Sequence, residues 1–254
     1  MSARVIAVSN RKGGTAKTTT TVNLATALGG RGWRVLVVDL DSQGHAGLGF
    51  GVKAAPGQTT VHDVFRGAGA SLRDGVRATA SPNVDVLPAD RAFEGTATAP
   101  PLALAAALEP LAGTYQVVLI DTAPTADALL VSALASAHHV LVPTILHHLA
   151  IDGVGQFARS FFRVATTLNA GLHGLSILPV QVDLRVTMQR EILERLAVQF
   201  GRERVLAGIR PDVALAEAFG RQQPVKEFKP RTRSVEDFEL LCDNVISKII
   251  KAER

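Results

Sequence analysis

Seven short apolar, β-branched runs punctuate the chain: Val5–Ser9, Val35–Asp39, Val84–Pro88, Val117–Asp121, Val140–Pro143, Ser176–Val182 and Val205–Ile209. They are nearly continuous in hydrophobicity rather than alternating, the pattern of strands buried on both faces. Between them the apolar spacing becomes helical, near 19–30, 61–66, 102–112, 126–137, 151–168, 187–200, 213–220 and 235–251. Strands that alternate with helices predict crossover units. The expected architecture is therefore α/β, a doubly wound, mostly parallel sheet of about seven to eight strands with helices on both faces. Segments 51–60, 67–82 and 92–101, rich in Gly, Ala, Ser, Thr and Pro, read as loops. Without an internal repeat or a long linker, residues 1–254 read as a single domain.

Two apolar segments raise the question of membranes. The stretch from Ala126 to Leu146 is interrupted by Asp127, Ser132, Ser136, His138 and His139. It reads as a helix followed by a buried strand, not as a span. The last helix carries Phe238, Leu241, Val245 and Ile249 at helical spacing, with Ile246 and Ile250, and ends in Lys248 and Lys251. An interfacial anchor would use such a face. Core packing is the better reading, because lysine at a helix C-terminus is ordinary dipole complementation.

Composition narrows the function classes. Apolar residues make up 47% of the chain and aromatics 5%, enough for a full core built mostly from Ala, Val and Leu. The net charge of +4 is compatible with a local basic face but does not by itself imply nucleic acid. Arginine outnumbers lysine 20 to 7, which suits planar recognition of phosphate; a GC-rich genome would produce the same bias. Cys242 is the only cysteine, which excludes an intramolecular disulfide and a cysteine metal cluster and fits a reducing cytoplasm. Strand-like residues begin at Val5, so neither a leader nor a preceding DNA-reading domain is expected. The adjacent pairs His138-His139 and His147-His148 point to different sides and lack a third ligand, so they are not read as metal sites.

The chemistry begins at Asn10-Arg11-Lys12-Gly13-Gly14-Thr15-Ala16-Lys17-Thr18, between the first strand and the first helix. Strand, Gly-rich loop, Lys-Thr and helix make the layout of a phosphate cradle, in which backbone N–H groups and the helix dipole receive anionic oxygens. Lys17 would reach the β- and γ-phosphates and Thr18 would bind Mg²⁺. The common pattern G-x-x-x-x-G-K-[ST] would need Gly where Arg11 and Ala16 stand. Lys-Gly-Gly-x-x-Lys-Thr instead resembles the deviant Walker A loop of the ParA/MinD family of P-loop ATPases. That resemblance implies an α/β/α P-loop NTPase fold. It implies nucleotide contacts by Lys12, Gly13, Gly14, Thr15, Ala16, Lys17, Thr18 and Thr19, and a Lys12 that reaches the nucleotide of the partner in an ATP-sandwich homodimer. Ala16 stands where the family has Gly, and its Cβ crowds the phosphate loop.

Two carboxylate motifs follow in the right order. Asp39-Leu40-Asp41-Ser42-Gln43-Gly44 resembles the family's switch I, D-x-D-P-Q-G, with Ser42 in place of Pro. By that resemblance Asp41 orients the attacking water and Asp39 supports the Mg²⁺ shell. Leu119-Ile120-Asp121-Thr122-Ala123-Pro124 resembles Walker B running into switch II, with Asp121 on Mg²⁺ through water. Strand-terminal carboxylates lie at the edge where open α/β sheets bind ligands.

Resemblance continues to the C-terminus. Leu149-Ala150-Ile151-Asp152-Gly153 is similar to the family's Ala-x-Glu-Gly segment, and Ile209–Ala218 to its I-P-R-N-V-x-L-S-E-A segment near the adenine. Pro211 and Asp212 are thereby candidates for base contact, with Arg210 and Pro211 in swapped order. Pro224-Val225 and Lys229–Arg233 resemble the closing G-K-P and P-x-S-R elements. Relatives that bind DNA without sequence preference use arginines of this half; one such position is Ala214 here. Arg185, Arg190, Arg221, Lys229, Arg231 and Arg233 are the candidates for DNA contact, against the plainer reading of a solvated face in which Glu191, Glu194 and Glu203 are interleaved.

The implied function is a Mg²⁺-dependent, slow ATPase whose ATP-bound homodimer holds nonspecific DNA and is stimulated by a ParB-like or other adaptor protein. It would be cytoplasmic and nucleoid-associated, positioning plasmid, chromosome or protein cargo. The alternatives are a MinD-like membrane-cycling ATPase and, because of Ala16, a nucleotide-binding adaptor with little turnover. The single cysteine argues against an iron–sulfur relative, which needs clustered cysteines. A small-molecule synthetase on the same fold is disfavoured by Lys12 and by the lack of a second substrate motif.

Overall fold

The computed structural model describes residues 3–67, 71–94, 99–125 and 128–251. In chain order the elements are β1 (Arg4–Val8), α1 (Lys17–Gly30), β2 (Val35–Asp39), α2 (His45–Gly49), β3 (Arg77–Ala78), β4 (Val84–Leu87), α3 (Ala103–Leu108), β5 (Val117–Asp121) and α4 (Ala128–Ser136). They continue as β6 (His139–Ile145), α5 (Ala150–Thr167), β7 (Gly174–Val180), α6 (Thr187–Phe200), α7 (Val213–Gly220), α8 (Val225–Phe228) and α9 (Arg233–Val245), with a final π-type turn at Ile246–Ile250. The sheet order is β3-β4-β2-β5-β1-β6-β7. Every pairing is parallel except β3 with β4. This is the doubly wound α/β/α sheet expected of a P-loop NTPase.

Alternate side chains of each central strand enter two separate cores. Val5 and Ala7 pack with α4 and α5 through Leu130, Leu134 and Phe157, while Ile6 packs with α1 and α9 through Leu24, Leu28 and Leu241. Helices thus cover both faces, which is why the strands read as unbroken apolar runs. Phe238, Leu241, Val245 and Ile249 of the last helix are all buried in the second core. No described helix is long and apolar enough to cross a membrane.

Three expectations are corrected. Val205–Ile209 is not a strand but makes two isolated parallel bridges to β7. Leu206 and Ile209 donate to the carbonyls of Ile177 and Pro179. A strand residue presents its N–H and C=O on the same side, so Pro179 has no donor to return to this segment and the ladder breaks. Inside the expected loop 67–82, β3 pairs antiparallel at the sheet edge. The turn at Val61–Arg66 is 3₁₀ rather than α, closed by a capping box between Thr60 and Asp63. Residues 126–127 of the expected helix 126–137, and parts of loops 67–82 and 92–101, lie outside the described residues.

A candidate nucleotide and magnesium site

The loop between β1 and α1 turns on two left-handed residues, Gly14 at φ 72° and Ala16 at φ 60°. Glycine occupies that region freely, whereas Ala16 pays roughly 1 kcal/mol for its Cβ. Ala16 is also the N-cap of α1, yet no side chain caps this helix and its first turn has no acidic residue. The free N–H groups and dipole of α1 are therefore left to attract an anion from outside the chain.

Beside that cradle the sheet register sets two carboxylates next to each other: Asp39 of β2 is the cross-strand partner of Asp121 of β5. Both are fully buried. Asp121 accepts hydrogen bonds from the hydroxyls of Thr18 (2.7 Å) and Thr21 (3.1 Å), which clamps α1 to β5. Asp39 accepts one from the Gly47 N–H at 2.8 Å, but its Oδ1 is buried with no hydrogen-bond partner. Burial pushes both carboxyls above the ordinary range; Asp121 and Asp41 raise Asp39 further, and Asp41 raises Asp121 against the hydrogen bonds from Thr18 and Thr21. Lys17, also buried, lies with Nζ 3.4 Å from the Lys12 carbonyl; burial lowers its pKa against the pull of Asp121 and Asp41. The cluster is thus short of positive charge and keeps an unpaired carboxylate oxygen, the condition a divalent cation relieves. Among the described residues no three His, Cys, Asp or Glu side chains form a self-sufficient metal cage. Two adjacent buried carboxylates beside a threonine hydroxyl suit Mg²⁺, which keeps waters and is held by one or two carboxylates plus substrate phosphates. Thr18, Asp39 and Asp121 are the residues that could hold it.

Asp41 lies half-buried in the turn just beyond β2, where its carbonyl accepts from Gly44 (2.8 Å) and its carboxylate from Gln43 (3.0 Å). Lys12 differs from Lys17 in being exposed. Its N–H donates to the Asn10 side chain at 3.0 Å, and Asn10 in turn donates to the Pro143 carbonyl at 2.8 Å, tying the loop to the end of β6. Its Nζ lies 2.6 Å from Nε2 of His147 in the β6–α5 connection. Neither Asn10 nor His147 stood out as a site residue in the sequence.

On the other side of Ala16, Thr19 and Thr20 opens a cavity of 590 Å³ lined also by Gln181, Pro211, Asp212, Phe219, Arg233 and Phe238. Its apolar walls suit a planar base, and Pro211 and Asp212, the candidates for base contact, are among its lining residues. The Asp212 carboxylate is occupied, however: it caps α7 through the Ala214 N–H (3.0 Å) and accepts from the Ser234 hydroxyl (2.8 Å). Gln181, held at φ 56°, is a lining residue that no motif or spacing marks in the sequence.

The basic candidates do not form one cluster. Arg185 and Arg233 border a 770 Å³ cleft beside β7, whereas Arg221 borders a smaller one near Phe50. Arg185 is paired with Asp183 at 2.7 Å, Lys229 with Glu217, and Arg190 donates to the Leu184 carbonyl at 2.6 Å.

Residues 3–174 match a family described as an AAA domain. The chain is 33% identical to the chromosome partitioning protein ParA of Caulobacter vibrioides over 96% of its own length and 94% of that protein's. Among solved structures it is similar to a cobyrinic acid a,c-diamide synthase from Mycobacterium smegmatis with bound ADP and magnesium (30% identity, TM-score 0.80, 99% and 97% of the two chains). It is similar as well to the cell division ATPase MinD of Pyrococcus furiosus (27% identity, TM-score 0.81, 96% and 98%). With a doubly wound sheet, a two-lysine phosphate loop and paired strand-end carboxylates behind this likeness, the chain belongs to the ParA/MinD family of P-loop ATPases.

Proposed function

We propose that this protein is a ParA-type ATPase: ATP draws two copies into a sandwich, the pair holds DNA without sequence preference, and an adaptor protein stimulates hydrolysis and release. The observation that carries this reading is the division of labour between the two loop lysines. Lys17 is buried in its own cradle, while Lys12 is exposed with its ammonium on the His147 ring of the β6–α5 connection. A lysine so placed can meet a nucleotide held by a second copy once it leaves the His147 ring.

In this reading the α1 N-terminus and the loop N–H groups bind the phosphates, and Lys17 neutralises β/γ charge. Thr18, Asp39 and Asp121 would hold Mg²⁺, which would supply positive charge against that of the phosphates. Asp41 orients the attacking water, and Lys12 of the second copy adds positive charge where it develops. Because the site is completed only in the pair, turnover is slow and timed by assembly. The basic side chains of the C-terminal half supply salt-sensitive, sequence-independent phosphate contacts, which would place the protein on the nucleoid.

Binding to random-sequence duplex DNA at low and moderate salt tests this, with ATP, ADP or no nucleotide, in wild type and Lys12→Ala. ATP-dependent, salt-sensitive binding that Lys12→Ala abolishes is expected. DNA binding indifferent to both nucleotide and Lys12 would overturn it. The strained Ala16 favours one second reading, a nucleotide-binding adaptor with little turnover, which would bind ATP and assemble without measurable hydrolysis.

A further inference from the structure

We propose that His147 is a positioning residue for Lys12, holding its side chain against its own subunit until a second copy arrives. The proposal rests on the reading that Lys12 acts across a pair.

The β6–α5 connection grips Lys12 from two directions. The Asn10 side chain, bonded to the Pro143 carbonyl of β6, fixes the Lys12 backbone. Four residues beyond Pro143, the His147 ring meets the Lys12 ammonium at 2.6 Å. A neutral imidazole offers one acceptor nitrogen, and two donors face this one: Lys12 at Nε2, and the Leu149 N–H at Nδ1 (3.1 Å). The ammonium, being charged, is the stronger donor. When the ring serves it, the Leu149 N–H, at the cap of α5, loses its partner. The grip on Lys12 is therefore in competition with the turn that starts α5, and it is a hold that can be released.

The hold also needs a neutral ring. Burial, Lys12 and His148 all push the His147 titration down, which keeps the ring an acceptor near neutral pH. Protonation turns both nitrogens into donors and ejects Lys12. Next to this contact Leu149 leaves 66% of its surface open, so the connection is accessible to an arriving copy.

The test measures ATP-dependent dimerisation by sedimentation at pH 6 and pH 7.5, for wild type, His147→Ala, His147→Gln and Lys12→Ala. Ring ¹⁵N NMR of the nucleotide-free wild type and Lys12→Ala proteins follows His147 directly. Freeing Lys12 in His147→Ala should tighten dimerisation at pH 7.5 by about three- to tenfold for each of the two subunits, roughly ten- to hundredfold in the dimer constant, since each subunit no longer gives up an exposed hydrogen bond. His147→Gln, whose amide oxygen accepts at either pH, should restore the wild-type constant and remove its pH dependence. His147 should titrate higher in Lys12→Ala than in wild type. An unchanged dimer constant in His147→Ala overturns the proposal, provided Lys12→Ala abolishes dimerisation. If Lys12→Ala still dimerises with ATP, the reading of Lys12 across the pair falls, and an unmoved His147 titration in that variant then overturns the contact as well.

Discussion

At the scale of single residues, the loop between β1 and α1 contains one strained position. Ala16 takes a left-handed conformation at the N-cap of α1, on the loop expected to receive phosphate, where a Cβ leaves less room than Gly would. The strain of roughly 1 kcal/mol is partly offset by the smaller entropy that Ala loses on folding relative to Gly. Ala16→Gly should therefore change stability by less than about 1 kcal/mol while tightening ATP binding several-fold. Calorimetric titration with ATP and a thermal melt separate the two effects, and weaker ATP binding in the variant would refute the argument. Lys17, Thr18 and Asp121 were legible in the sequence because a strand, a glycine-rich turn and a helix force them together over a short span or at a strand end. Asn10 and His147 were not. Their partners, Pro143 and Lys12, lie more than 130 residues away, and only the parallel pairing of β1 with β6 brings the segments side by side.

Among the elements, the 3₁₀ turn Val61–Arg66 carries a buried histidine with a measurable consequence. His62 is fully buried and stacks on Phe93 at 4.4 Å. Its Nδ1 accepts from the Asp90 N–H at 2.9 Å, and its Nε2 has no hydrogen-bond partner. Burial pushes its pKa down to about 4, against 6.5 for the free side chain. Between those values the unfolded chain binds more protons than the folded one, so the contribution is fully present above pH 6.5 and is lost as pH falls toward 4. The full swing is about 3 kcal/mol. Urea unfolding at pH 7.5 and pH 5 should show a steeper loss in wild type than in His62→Gln, whose amide oxygen still accepts from Asp90; equal losses would show that His62 is not the titrating group. Element types were mostly readable from periodicity, because a strand covered on both faces is apolar throughout. The failures are physical. Val205–Ile209 has the composition of a strand but faces a proline, and β3 is too short and polar to show any pattern.

For the molecule as a whole, the order of the strands could not be read from the sequence, since each apolar run is equally compatible with several neighbours. The placement of Asp39 beside Asp121 follows only from that order. The same holds for charge. A net +4 says little, but the structure separates the basic candidates into engaged and free side chains. Arg185, Arg190 and Lys229 already bond to acceptors of their own chain. Arg231 and Arg233, which flank the start of α9, make no side-chain hydrogen bond or ion pair among the described residues. A cation with no directly bonded partner can turn its charge to a phosphate, whereas a paired one must first give up a carboxylate. If the ATP-bound pair lies on DNA through this face, replacing both Arg231 and Arg233 by Gln should lower the slope of log K against log salt by roughly 2 per subunit, about 0.9 for each phosphate left without its cation. Replacing Arg185 alone should lower it by less than one such step. Affinity should fall equally for unrelated duplex sequences, because phosphates carry no code. Fluorescence anisotropy across a salt series measures both quantities, and a slope unchanged by the double replacement would take α9 off the DNA face.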